Sequence, residues 1–162
     1  MPQENAGKGK VSMKVEDVMV KEVVTISENA SVKEAADIMN QFEIGSIIAV
    51  RKGKAIGIIT ERDLLKRVIA EGMDAKKTRV KDIMSSPVIV IPPGTELEEA
   101  MRLMFQKKIK KLAIVDQKRL IGVVSLTDIA SCQPAIIKLL KTFAAAQNTP
   151  KSMKKVLDYY IV

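Results

Sequence analysis

Val15-Glu16-Asp17-Val18-Met19 returns sixty-five residues later as Val80-Lys81-Asp82-Ile83-Met84, and the same offset carries Gly57-Ile58-Ile59-Thr60-Glu61-Arg62-Asp63 onto Gly122-Val123-Val124-Ser125-Leu126-Thr127-Asp128. Between these anchors the register holds without a gap. Val23-Val24-Thr25-Ile26 falls on Val88-Ile89-Val90-Ile91, Glu34-Ala35 on Glu99-Ala100, and Met39 and Gln41 on Met104 and Gln106. Ile44 falls on Ile109 and Val50 on Val115. A match kept in step over some fifty positions is an internal duplication, and one structural unit therefore has to satisfy both copies.

Each copy reads as βαββα. The β-branched runs 23–26 and 88–91 predict a first strand. An amphipathic helix follows, with a capping box expected from Ser31 with Glu34 and from Thr95 with Glu98. Its apolar stripe is Val32, Ala35, Ala36 and Met39 in copy one, and Leu97, Ala100, Met101 and Met104 in copy two. Strand pairs are predicted at 46–50 with 55–60 and at 112–116 with 120–125, joined by turns at Gly53 and Gln117. A second helix starts at Thr60 or Ser125, and in copy one it ends near Gly72. The expected organisation is a flexible segment 1–14, repeat one at 15–72, a polar linker 73–79, repeat two at 80–132, and a basic helical tail at 133–162. The strands are apolar at nearly every position, so both sheet faces require cover. An α+β fold follows, in which the two sheets face each other about a pseudo-two-fold axis, with a cleft on either side of the junction and a C-terminal helix.

The composition narrows the chemistry. The 162 residues are 47% hydrophobic, in the globular range, with no apolar run of the ~20 residues that a membrane span needs. One cysteine suits a reducing compartment, and a cytoplasmic protein is expected. Histidine is absent, which removes the commonest general base and, with a single cysteine, almost any structural zinc site. No P-loop or nucleophile–base pairing stands in its place, so no enzyme and no metal site are expected. The net charge of +8 lies mostly in the ends: residues 133–162 hold five lysines against Asp158, and residues 1–14 hold three against Glu4. The alternative function is therefore nucleic-acid binding through basic tails, with nucleotide control as an option, although 3% aromatics leaves few platforms for stacking bases.

The shared ending, glycine, two apolar residues, a hydroxyl and an aspartate three positions on, has a plain structural reading as a capped helix start. Its functional reading is a grip on a nucleoside monophosphate. The hydroxyl and free N–H groups would hold phosphate, and the carboxylate one turn in would accept two hydrogen bonds from a ribose diol.

The ordered set of motifs, occurring twice at constant spacing over residues 15–132, resembles a tandem cystathionine-β-synthase (CBS) domain pair, or Bateman module. The resemblance rests on the D-V/I-M lead-in, the βαββα order, the I-x-x-[L/I]-x-[V/I]-V strand and the G-h-h-[S/T]-x-x-D ending. It implies a regulatory sensor that binds AMP, ADP, ATP or S-adenosylmethionine between repeats and signals to a regulated partner protein, and it implies a homodimer. Carried over residue by residue, cleft one would combine Ile58, Thr60 and Asp63 with Ile89, Ile109, Lys110 and Lys111. Cleft two would combine Val123, Ser125 and Asp128 with Val24, Ile44 and Gly45. The apolar members would sandwich adenine, and backbone groups beside Val24 or Ile89 would read its edge.

The copies diverge where Lys107-Lys108-Ile109-Lys110-Lys111 replaces Phe42-Glu43-Ile44-Gly45-Ser46. Lysines entering a strand also serve as solvated edge residues that discourage aggregation. Alternation places Lys110 and Lys111 on opposite faces, with Lys111 on the junction face beside Ala113 and Val115. Lys111 is the better candidate for a phosphate contact, so cleft one is expected to prefer charged nucleotides. Cleft two is expected to take a less phosphorylated adenosine compound or to stay empty.

Overall fold

The computed structural model describes residues 12–132 together with 138, 141, 142 and 145. Each repeat contributes one three-stranded sheet. In repeat one, β1 (Thr25–Ser27) pairs parallel with β2 (Ser46–Arg51), and β2 pairs antiparallel with β3 (Lys54–Thr60). Repeat two repeats the order with β4 (Val90–Ile91), β5 (Lys111–Asp116) and β6 (Arg119–Ser125). The register matches residue for residue: Ser46 lies opposite Thr60, and Lys111 lies opposite Ser125. Even the irregularities coincide, with one shift between Ala49 and Val50 and its mate between Ile114 and Val115.

The helices α1 (Val32–Phe42) and α4 (Leu97–Lys107) join the parallel strands, as a parallel crossover requires. Three consecutive residues are buried in the middle of each central strand, Ile47 to Ala49 and Leu112 to Ile114, so both faces are covered. The fold is the expected α+β pair of βαββα repeats, with the sheets facing each other about a pseudo-two-fold axis.

Two expectations about local structure need correction. Ser31 caps α1 as predicted, accepting from the Glu34 N–H while Glu34 accepts from the Ser31 N–H at 2.7 Å. Thr95 and Glu98 form no such box. The residue before α4 is Glu96, without a side-chain cap, and the Thr95 hydroxyl donates instead to the Pro92 carbonyl at 2.8 Å. The repeat register explains this, because Ser31 maps onto Glu96 and not onto Thr95. The first strands are also shorter and start later than the β-branched runs: Val88 and Ile89 instead bond to Ile56 of one repeat and Ala113 of the other, and Val23 N–H turns back to the Lys21 carbonyl.

That bridging exchanges material between the two halves. The 3₁₀ turn Val15–Asp17 opens repeat one, yet Val15 is fully buried in the core of repeat two, among Leu97, Met101, Met104, Leu112 and Ile129. The matching turn α3 (Val80–Ile83) opens repeat two, and Val80 and Ile83 sit in the core of repeat one with Ile26, Val32, Ile47 and Ile59. Backbone bridges fix the exchange in symmetric pairs: Lys14 with Glu96 and Arg79 with Ser31, then Val20 with Val123 and Ser85 with Ile58. Residues 73–79 turn through Asp74 and Thr78 and hydrogen-bond to the start of α1, through Lys33 N–H to the Ala75 carbonyl and Val32 N–H to the Thr78 carbonyl.

Gly57 and Gly122 make the exchange possible. A Cβ on Gly57 would meet the Met84 Cγ and the Ser85 carbonyl oxygen at 3.0 Å, and one on Gly122 would meet the Met19 Cβ at 3.2 Å. Each methionine of the D-V/I-M lead-in therefore lies on the glycine of the opposite repeat. The described positions beyond Cys132, namely Lys138, Lys141, Thr142 and Ala145, are helical and exposed. The remainder of the tail at 133–162 and most of the segment at 1–14 lie outside the described residues.

Candidate functional site

The two helix starts are built alike. Thr60 stands before α2 (Glu61–Leu64), which continues as a π-type turn through Ile69, and Ser125 stands before α5 (Leu126–Cys132). The Thr60 hydroxyl accepts from the Asp63 N–H at 3.2 Å, while Asp63 Oδ2 accepts from the Thr60 N–H at 2.9 Å and from its hydroxyl at 2.8 Å. In repeat two the Ser125 hydroxyl accepts from the Asp128 N–H at 3.0 Å, and Asp128 Oδ2 accepts from the Ser125 N–H at 2.8 Å and from its hydroxyl at 2.6 Å. Both aspartates thus form full capping boxes. In each box one carboxylate oxygen takes both capping bonds, so Oδ1 is not committed to the cap. In repeat one the Arg67 Nε lies 3.6 Å from Asp63 Oδ1, and Arg67 is itself anchored by donating to the Ile83 carbonyl at 2.5 Å. The register puts Cys132 where repeat one has Arg67, so the two carboxylates differ in this neighbour.

The residues carried over to cleft one converge through the bridging strand. Ile58 exchanges two backbone hydrogen bonds with Ser85, at 2.9 and 2.8 Å, and Val88 N–H donates to the Ile56 carbonyl. Four residues after Ser85, the Ile89 carbonyl accepts from Ala113 N–H on β5. Residues 85–89 therefore run from β3 of one repeat to β5 of the other and span the junction. Ile89 and Ile109 are half-buried against the core of repeat two. On the other side Val20 bridges to Val123, and the chain then enters β1, which pairs with β2. Val24 and Ile44 are half-buried against the core of repeat one. Two of the residues do their backbone work within their own repeat: the Gly45 carbonyl accepts from Glu61 N–H, and the Lys110 carbonyl accepts from Leu126 N–H.

Lys110 is exposed and Lys111 half-buried, the division that strand alternation predicts. Lys111 Nζ donates to Ser46 Oγ at 2.7 Å across the junction. Burial pushes the Lys111 ammonium below the ordinary lysine value of 10.5, and the carboxylates of Asp128 and Glu61 partly restore it. Ser46 and Glu61 were not among the residues expected at the site. The signal for Ser46 lay in the repeat register, which makes it the mate of Lys111; nothing in the sequence marks Glu61, whose mate is the buried Leu126.

A lysine whose charged form is disfavoured on folding lowers stability. Because its folded pKa is below the unfolded one, the unfolded chain binds more protons between those values, and stability rises with pH as the window closes towards 10.5. Lys111→Met keeps the stem and removes the desolvated charge, while Asp128 keeps both capping bonds. We expect it to stabilise the protein by about 1 kcal/mol at neutral pH and to abolish that alkaline rise. Thermal melts of both proteins from pH 7 upward check this.

Two surface depressions are lined mainly by residues other than the carried-over ones. One of about 820 Å³ is on the outer face of α4, lined by Glu96, Glu98 and Glu99 with Arg102, an acidic setting unsuited to phosphate. Another, of about 480 Å³, lies between α1 and α2 and includes Glu61 and Glu43. Among the described residues no helix is long and apolar enough to cross a membrane.

A duplicated βαββα unit with exchanged lead-ins and paired helix starts at the junction defines a two-repeat regulatory module. The chain belongs to the CBS domain family, whose model matches residues 15–70 and 80–134. It is 40% identical over 116 residues to the CBS domain-containing protein YhcV of Bacillus subtilis strain 168, covering 72% of this chain and 82% of that protein. It is 36% identical over 118 residues to the inosine-5'-monophosphate dehydrogenase of Methanocaldococcus jannaschii, covering 72% of this chain but only 23% of the enzyme. Among solved structures, a CBS-domain containing protein from Agrobacterium tumefaciens superimposes with a TM-score of 0.68 at 26% identity, covering 74% of this chain and 98% of that one. A hexameric CBS-CP12 protein from bloom-forming cyanobacteria superimposes with a TM-score of 0.70 at 26% identity, covering 93% of each chain.

Proposed function

We propose that this protein is a ligand sensor that binds an adenosine compound (AMP, ADP, ATP or S-adenosylmethionine) in the clefts between its CBS repeats and passes the occupancy to a partner protein. The observation that carries this reading is the matched pair of helix starts at Thr60–Asp63 and Ser125–Asp128. Each box spends one carboxylate oxygen on the cap, and the other, which faces Arg67 in repeat one, lies outside the cap and suits a ribose diol. The half-buried Ile58, Ile89 and Ile109 on one side, and Val123, Val24 and Ile44 on the other, supply apolar surface for a purine. Lys110 and Lys111 add positive charge for phosphate.

The protein acts by binding and not by catalysis, as a cytoplasmic homodimer in which the sensor repeats are the shared unit. Binding between two repeats that exchange their lead-ins shifts both halves together, and this gives a partner something to read. Calorimetric titration with AMP, ADP, ATP and S-adenosylmethionine tests the reading. Saturable binding of at least one of them is expected, and binding of none overturns it.

A further inference from the structure

Ser46 and Lys111 are mates under the sixty-five-residue register, and they touch each other at 2.7 Å. A contact between mates straddles the pseudo-two-fold axis that relates the repeats, so the pair draws on both halves. Ser46 is the cross-strand neighbour of Thr60, and Lys111 that of Ser125, so the pair stands beside both helix-start hydroxyls. The carboxylate of Asp128 acts on the ammonium from repeat two and that of Glu61 from repeat one. Two lysines at these positions would press like charges together, and two serines would leave the axis neutral. The chain has one of each, and therefore one ammonium at this pair of matched positions.

We propose that Lys111 is a phosphate-reading residue shared by both clefts, so that an anionic ligand in either one draws the ammonium away from Ser46 and weakens the other cleft for a second anion. This rests on the reading of the clefts as adenosine sites and adds the regulation between them. The lysine stem is long and freely rotating, and its bond to Ser46 is a single hydrogen bond to a neutral hydroxyl, which a phosphate oxygen outcompetes. Once the ammonium has committed to one side, a second phosphate near the axis meets a like charge without its counter-ion. The lysine pulls phosphorylated ligands into the module while limiting them to one at full strength.

The test uses the full chain in two single-cleft backgrounds, Asp63→Ala and Asp128→Ala, each with and without Lys111→Met, titrated with AMP and with adenosine. The AMP-to-adenosine affinity ratio is expected to fall about tenfold on Lys111→Met in both backgrounds, the size of one charge-assisted hydrogen bond. In the protein with both clefts, AMP steps are expected to lie further apart than the two single-cleft affinities, a gap that closes in Lys111→Met and persists in the charge-keeping Lys111→Arg. Persistence in Lys111→Arg guards against a packing effect of methionine. A fall in one background only, or in neither, overturns the shared lysine while leaving the adenosine reading standing. Failure of the unsubstituted protein to bind either compound overturns both.

Discussion

Val15→Asp is expected to unfold the second repeat ahead of the first. Val15 opens repeat one in the chain, but its side chain is fully buried in the core of repeat two. The turn it begins is held there by Val15 N–H to the Thr95 carbonyl at 2.9 Å and by Leu97 N–H to the Met13 carbonyl at 3.1 Å. The substitution removes a buried valine and places a carboxyl group where no polar partner waits, at a cost of about 4 kcal/mol. Hydrogen exchange reads where the damage falls. Amides of α4, β5 and β6 are expected to lose protection first, while those of β2 and β3 hold longer. Val80→Asp is expected to give the mirror result, because Val80 is equally buried in repeat one and bonded through its N–H to the Ala30 carbonyl. Loss of protection confined to the repeat that follows each site in sequence would show that the lead-ins are not exchanged.

The second large effect concerns the ligand. Asp63→Ala and Asp128→Ala are each expected to weaken adenosine-compound binding to one cleft by about a hundredfold, since two hydrogen bonds to a charged acceptor disappear. Each also removes the acceptor half of a capping box, so a stability loss of about 1 kcal/mol accompanies it. The two effects separate the functional reading from the plain one. If the melting temperature falls while every affinity is unchanged, the aspartates are helix caps and nothing more. Calorimetric titration of the two variants beside thermal melts gives both numbers, and loss in one variant assigns a cleft to its ligand.

Much of this was legible before any coordinates. The sixty-five-residue register predicted six strands in two like sheets, and the hydroxyl–aspartate boxes at Thr60 and Ser125 appear where the helix starts were expected. Local chemistry suffices for these, because alternation, capping and turn preferences act within a few residues. Thr95 and Glu98 have the local spacing of a capping box, but the repeat register makes Glu96 the mate of Ser31, and α4 starts after Glu96. The strand pattern correctly divided Lys110 from Lys111 by face, but it gave no sign that Lys111 would reach across the junction to Ser46.

By itself the sequence determined the unit, its duplication and the residues at which the copies agree, since an internal repeat and a helix cap are written in nearest neighbours. Only the tertiary structure decided which half each lead-in serves and where Lys111 comes to rest. Val15 and Val80 carry no local mark of the core they join, because burial is a property of the whole fold. The meeting of Lys111 with Ser46 depends on the axis that relates the repeats. That axis exists only once the two sheets have packed together.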